Sequence, residues 1–272
     1  LPQIQAEESM RKGGKRQGAA ARAVTYQPGG FAVARWILGT TAVLLGLAMI
    51  GGTSHVRAQT ACADVNLVLA VDGSSSISDS DFTLQRHGIA NAFRDPAVLA
   101  AMQRAGAVAV TAVFWGDSEL AVQKTGWITI AGPADGERFA RIIEGVDRKV
   151  LGNTGLGAGL DAALDMIESH AVCAGRSIIN VSGDGRETIF PRQRRVVILP
   201  EEARARASAL GVTINALVIA GGEPGLEVYF TDRVITGPGS FVMAIHDLAG
   251  FSTALRRKLI REISPMAISS RN

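Results

Sequence analysis

Residues able to do chemistry sit at three places in this sequence. The first is Asp72-Gly73-Ser74-Ser75-Ser76, directly after the nearly continuous apolar run Asp64–Val71. A carboxylate and two hydroxyls at alternate positions offer hard oxygen atoms to a hard cation. The same residue types also cap helices, so alone the motif leaves both readings open. The second place is Gly152-Asn153-Thr154-Gly155, which presents another hydroxyl immediately before an amphipathic helical pattern. The third is Asp184, a second carboxylate, in the turn Ser182-Gly183-Asp184-Gly185 after the short apolar run Ser177–Val181.

Enzymatic readings of these residues are weaker. A phosphoryl-accepting aspartate at Asp72 would usually be followed two residues on by a second Asp, and that position is Ser74. A nucleophile elbow around Ser74–Ser76 needs a glycine where Ser78 stands. His87, His170 and His246 fall on helical patterns or at a strand end and read as ordinary surface or core residues. Gly152, Gly155, Gly157 and Gly159 look superficially like a dinucleotide loop, but no strand leads directly into them and no ribose-binding acid is evident. A metal-dependent hydrolase and an assembly subunit with a vestigial site remain the alternatives to a binding domain.

Elements that could position the three places follow from periodicity. Asp64–Val71 reads as a strand covered on both faces, and Ser78-Asp79-Ser80-Asp81 carries helix-start chemistry. Phe82, Ile89, Ala90 and Phe93 then mark one helical face that ends at Asp95-Pro96. Ala107–Trp115 is a second strand, and the stretch Leu120–Ile130 returns as one antiparallel edge strand. Helices are predicted over Glu137–Val146, Gly155–His170 and Glu201–Leu210, with strands over Ser177–Val181, Val212–Ala220 and Ser240–Ile245. Leu248, Phe251, Leu255, Leu259 and Ile263 give a last amphipathic helix. Strands alternating with helices predict a doubly wound α/β fold with a mostly parallel six-stranded sheet and one antiparallel edge strand. In such a sheet the loops after the carboxyl ends of the strands form the ligand crevice.

In residue type, order and placement, the three places resemble the metal-ion-dependent adhesion site of von Willebrand factor A domains, over about residues 62–264. The resemblance implies that Ser74, Ser76 and Thr154 are direct metal ligands, and that Asp72 and Asp184 hold the ion largely through bound waters. It also implies strand order 3-2-1-4-5-6, which makes the strands ending at Asp72 and Asp184 neighbours. Hydroxyls and waters around the ion would leave it electrophilic, so an Asp or Glu carboxylate of a partner protein could complete the shell. Mg²⁺ suits such donors, with Mn²⁺ or Ca²⁺ as substitutes. More narrowly, the chain resembles an uncharacterised bacterial family of exported von Willebrand factor A-like proteins. Val181–Gly185, Gly237-Pro238-Gly239-Ser240-Phe241 and Arg257–Glu262 carry that likeness. Arg186-Glu187 departs from it, since a small polar residue is more usual after the Asp184 turn.

Charge and hydropathy divide the chain in two. Residues 1–58 contain seven Lys or Arg and two acids, whereas residues 59–272 carry 21 basic and 23 acidic side chains. The whole-chain net charge of +3 therefore belongs to the leader, and a nucleic-acid partner loses its electrostatic support. The basic leader runs into the apolar stretch Trp36–Ile50 and then Val56-Arg57-Ala58, the order of a secretory signal cleaved after Ala58. That apolar stretch is shorter than the ~20 residues of a spanning helix. A periplasmic or secreted domain over 59–272 is expected, with an uncleaved inner-membrane anchor as the alternative.

Two cysteines in an exported chain point to a disulfide. If the strands at 64–71 and 177–181 are neighbours, Cys62 and Cys173 lie together at the end of the sheet opposite the metal loops. Arg186, Arg192, Arg194 and Arg195 follow the Asp184 turn with Phe190 among them. Arginine and aromatic residues are enriched in binding hot spots, so the segment reads as a partner surface, or else as a solvated loop.

Overall fold

β1 (Ala63–Asp72) and β2 (Val108–Trp115) are each buried almost throughout, as continuous apolar runs require when helices cover both sides of a sheet. The structure is a computed structural model and describes residues 62–171, 173–188 and 197–264. The predicted leader and Phe190, Arg192, Arg194 and Arg195 lie outside the described residues. The sheet continues with β3 (Gln123–Lys124), β4 (Ile128–Ile130), β5 (Ala174–Gly183), β6 (Thr213–Ile219) and β7 (Val242–Ile245). Their order is β3-β2-β1-β5-β6-β7, with β4 also on β2. β1, β2, β5, β6 and β7 run parallel, and only β3 and β4 are antiparallel.

One predicted edge strand is thus two short ones. Between them the Thr125 hydroxyl accepts from the Ala112 amide at 2.8 Å, and the Thr125 carbonyl accepts from the Thr111 hydroxyl at 3.0 Å. The Thr125 amide still donates to the Ala112 carbonyl at 2.9 Å, so side-chain bonds supplement the backbone ladder where the two short strands part.

Alternation along β1 sends Val65, Leu67, Leu69 and Val71 into one core and Val68 and Ala70 into the other. Helices α1 (Asp79–Arg94), α2 (Pro96–Ala105), α3 (Pro133–Glu144) and α7 (Phe251–Ile263) cover the first side. Helices α4 (Leu156–Glu168), α5 (Pro200–Ala209) and α6 (Leu226–Arg233) cover the second. Phe93 of α1 and Phe139 of α3 are fully buried with ring centroids 4.4 Å apart. Each such ring contributes roughly 1.5–3 kcal/mol by burial.

The sequence pattern predicts no helix between Asp95-Pro96 and the second strand, where α2 stands. Asp95 in fact ends one helix and starts the next. Its carboxylate accepts from the Ala97 and Val98 amides, and Pro96 takes the first helical position. Helix α6 was also unread. Among the described residues no helix is long and apolar enough to cross a membrane.

Cys62 and Cys173 are joined in a disulfide with Cα atoms 4.7 Å apart. The Ala63 amide donates to the Cys173 carbonyl at 2.8 Å, so the bridge staples the starts of the neighbouring strands β1 and β5. Replacing both cysteines by serine should cost about 2–4 kcal/mol by constraining the unfolded chain less. Urea unfolding of the oxidised protein and the double variant measures this.

Candidate metal centre

β1 and β5 are parallel neighbours, with Val71 opposite Ser182, so Asp72 and the Gly183-Asp184 turn leave the sheet side by side. Sequence-distant acids meet because adjacent strands end together. Asp72 is fully buried, and its Oδ1 accepts from the Ser74 amide at 2.8 Å. This bond curls the loop so that the Ser74 and Ser76 hydroxyls lie 3.0 Å apart. Ser76 donates to Asp184 at 2.7 Å. A Cβ at Gly183 would stand 3.3 Å from Asp72 Oδ2, so the glycine lets that carboxylate sit slightly closer than a side chain would.

Thr154 enters from the loop before α4. Its carbonyl accepts from the Thr188 amide at 2.9 Å, which ties the second loop to the third. Ser76, Thr154 and Asp184 line one open groove together with Gly185, Arg186, Glu187 and Glu223. Of the five residues singled out as ligands, Asp72 and Ser74 form the buried floor, while Ser76, Thr154 and Asp184 reach the groove.

Asp72 Oδ2 is buried without a hydrogen-bond partner among the protein atoms. Burial, and secondly the Asp184 charge, pushes the Asp72 carboxyl from 3.8 to about 7. Burial also raises Asp184. Two carboxylates held together at this cost form a site that a cation would relieve. The donors are oxygens only, which fits a hard divalent ion and not a soft one. Among the described residues no group of three His, Cys, Asp or Glu side chains could hold a metal, so a cation here would depend on the hydroxyls.

Some residues around the site had no sequence signal. Gln85 is fully buried on α1 and donates to the Asp72 carbonyl at 3.1 Å. Glu187 accepts from the Gly157 amide at the start of α4 at 2.8 Å, and burial pushes it to about 7. Arg186 does not stand free: its guanidinium lies 3.2 Å from Glu223, donates to the Pro224 carbonyl and sits over Tyr229. Its charge is met within the protein. Only the surplus of Arg-Glu over small polar residues after the turn hinted at this arrangement.

One family model matches residues 61–267. The chain belongs to that family, DUF1194. The family is described as "Protein of unknown function". No curated protein matches the sequence. Among solved structures, the chain is similar to the pilus adhesin SpaC from Lactobacillus rhamnosus GG at 13% identity and TM-score 0.52, over 74% of this chain and 30% of that one. It is similar to the von Willebrand factor domain of the type V pili tip protein Mfa5 from Porphyromonas gingivalis at 12% identity and TM-score 0.50, over 75% and 97%. A third likeness is to proximal thread matrix protein 1 from the mussel byssus, in a form with a zinc-occupied metal-site motif, at 16% identity and TM-score 0.51, over 74% and 46%. The chain spans less than half the length of the SpaC and mussel proteins. At these identities the fold is what is shared, and it is the von Willebrand factor A fold.

Proposed function

We propose that this DUF1194 chain is an exported, non-enzymatic binding domain that captures an Asp or Glu carboxylate of a partner protein through one divalent cation. Ser74, Ser76 and Thr154 would hold the ion directly, with Asp72 and Asp184 behind bound waters. Mg²⁺ suits this donor set, and Mn²⁺ or Ca²⁺ could replace it. When bound, the ion supplies an electrophilic position for an incoming carboxylate oxygen. The observation that carries the reading is the buried, unpartnered Oδ2 of Asp72 beside a hydroxyl pair and a second carboxylate. The description of fold relatives as a pilus adhesin and a pili tip protein supports protein attachment as the use of this face.

Ser76, Thr154 and Asp184 line the open groove, so a partner side chain could reach an ion held there. Glu223 adds negative charge to the rim, and Arg186 offsets part of it. Arg192, Arg194, Arg195 and Phe190 follow the same loop and are proposed as further partner contacts.

The pH dependence tests this reading. A cation competes with the proton on Asp72, whose carboxyl titrates at about 7. Affinity for Mn²⁺ should therefore fall on the order of tenfold between pH 8 and pH 6. Calorimetric titration at both pH values measures the change. No uptake at pH 8 would overturn the proposal.

A further inference from the structure

The loop Gly73–Ile77 must aim two hydroxyls at one point, yet the Asp72 carboxylate holds it only at the Ser74 amide. A buried arginine from another loop adds a hold on its carbonyls. Arg148 lies between α3 and α4, with its side chain only 11% exposed. The two N–H groups of its Nη2 are shared among the carbonyls of Gly73 at 3.1 Å, Ser74 at 2.8 Å and Ile77 at 2.6 Å. Its guanidinium sits over the Phe82 ring, 5.5 Å from the centroid. We propose that Arg148 is a positioning residue of the metal centre, drawing the carbonyls of the Asp72–Ser76 loop to one side so that its hydroxyls face the ion. This rests on the metal reading above.

The physical argument is one of peptide planes. Fixing a carbonyl fixes the plane that carries it, and two consecutive fixed planes set the direction of the side chain between them. Gly73 and Ser74 carbonyls on one guanidinium thus set the Ser74 Cα–Cβ bond. Ile77 on the same group closes the loop behind Ser76. Arg148 also belongs to the segment that carries Thr154. The Ser75 amide donates to the Gly152 carbonyl at 2.8 Å, and the Gly152 amide donates to the Ser75 hydroxyl at 2.9 Å. The two ligand-bearing loops are therefore tied at both ends of the 148–152 stretch.

Arg148 also pairs with Asp79 at 2.6 Å, but that carboxylate is 94% exposed. An exposed pair contributes little, so the carbonyl contacts carry the role.

A matched control lies next to it. Arg86 also sits over Phe82, and its hydrogen bonds go to the Glu144 and Val146 carbonyls and the Thr83 hydroxyl, with none to residues 73–77. Loss of either arginine removes packing on Phe82, and only one removes the loop contacts. In Mn²⁺ titrations at pH 8, Arg148→Met should bind on the order of tenfold more weakly than wild type, the scale of outer-shell effects on metal affinity. Arg86→Met should stay within about twofold of wild type. In the metal-free proteins, hydrogen exchange at the Ser75 and Ile77 amides should quicken in Arg148→Met and not in Arg86→Met. Equal Mn²⁺ affinity in the two variants, or unchanged exchange in Arg148→Met, would overturn the role of Arg148. Failure of the wild-type protein to take up Mn²⁺ would instead overturn the metal reading itself.

Discussion

If the proposed metal centre is correct, Asp72→Asn is expected to weaken divalent-cation uptake severely while making the metal-free protein more stable. The substitution keeps the size of the side chain and an oxygen for the Ser74 amide, and removes the charge. Loss of that charge should weaken Mn²⁺ binding by about 100-fold or more, at the upper end of what outer-shell groups contribute. The gain in stability arises because the wild-type carboxyl is destabilised in place, first by burial and then by Asp184. Its folded-state value of about 7 lies above the ordinary 3.8, so the folded protein retains a proton that the unfolded chain releases. Stability of the metal-free wild type should therefore fall as pH rises from about 4 to 7. In Asp72→Asn that slope should flatten, leaving the variant roughly 1–3 kcal/mol more stable at pH 8. Thermal unfolding with and without Mn²⁺ separates the two effects. Wild-type Mn²⁺ affinity in the variant would show that Asp72 is a structural acid only. A loss of stability at pH 8 would show that the carboxylate is better solvated than its burial implies.

Much of this arrangement was legible in the sequence because it depends on local order. The Asp72–Ser76 motif follows an apolar run, and a strand buried on both faces must end where the first carboxylate appears. Thr154 precedes a helix whose apolar spacing at Leu156, Leu160 and Leu164 is unmistakable, and all three are fully buried. The Cys62–Cys173 bridge depends on β1 and β5 being neighbours, which the family resemblance implies and local order does not. What escaped was decided across the fold. Gln85 lies on the same buried helical face as Phe82 and Ile89, and nothing local shows that it meets a carbonyl at the end of β1. Arg148 looks like one more charged loop residue until the chain brings the 73–77 carbonyls to it. Arg186 begins an arginine-rich stretch, and nothing local shows that Glu223, 37 residues on, lies beside it. Asp95-Pro96 read as a stop signal, since the same two residues that end one helix also begin another.

The final helix holds a second case of this kind, and it yields the largest expected loss of stability. Lys258 and Glu262 are four residues apart on α7, and both side chains are wholly buried. Their apolar neighbours Leu255, Leu259 and Ile263 mark the helix face correctly, but the charged pair belongs to that face too. It is tolerated because the sheet opposite supplies polar partners. Lys258 Nζ lies 2.6 Å from Glu262 and donates to the Asn215 carbonyl at 3.2 Å. Asn180 on β5 donates to the other Glu262 oxygen at 2.7 Å. Asn215 on β6 in turn accepts from the Phe241 amide, so the Gly237–Phe241 and Arg257–Glu262 stretches meet around the pair. Burial opposes both charges, lowering Lys258 to about 8 and raising Glu262. Removing one partner leaves the other charged and unpaired in the core. Lys258→Met should therefore cost about 3–5 kcal/mol, and Glu262→Leu a similar amount. The double variant should recover most of that loss, because two apolar side chains of similar volume bring no desolvation penalty. Asn180 loses its acceptor in the double variant and limits the recovery. Urea midpoints for the wild type, both single variants and the double variant close the cycle. Single-variant losses that simply add in the double variant would mean that the two residues act by packing alone and not as a pair.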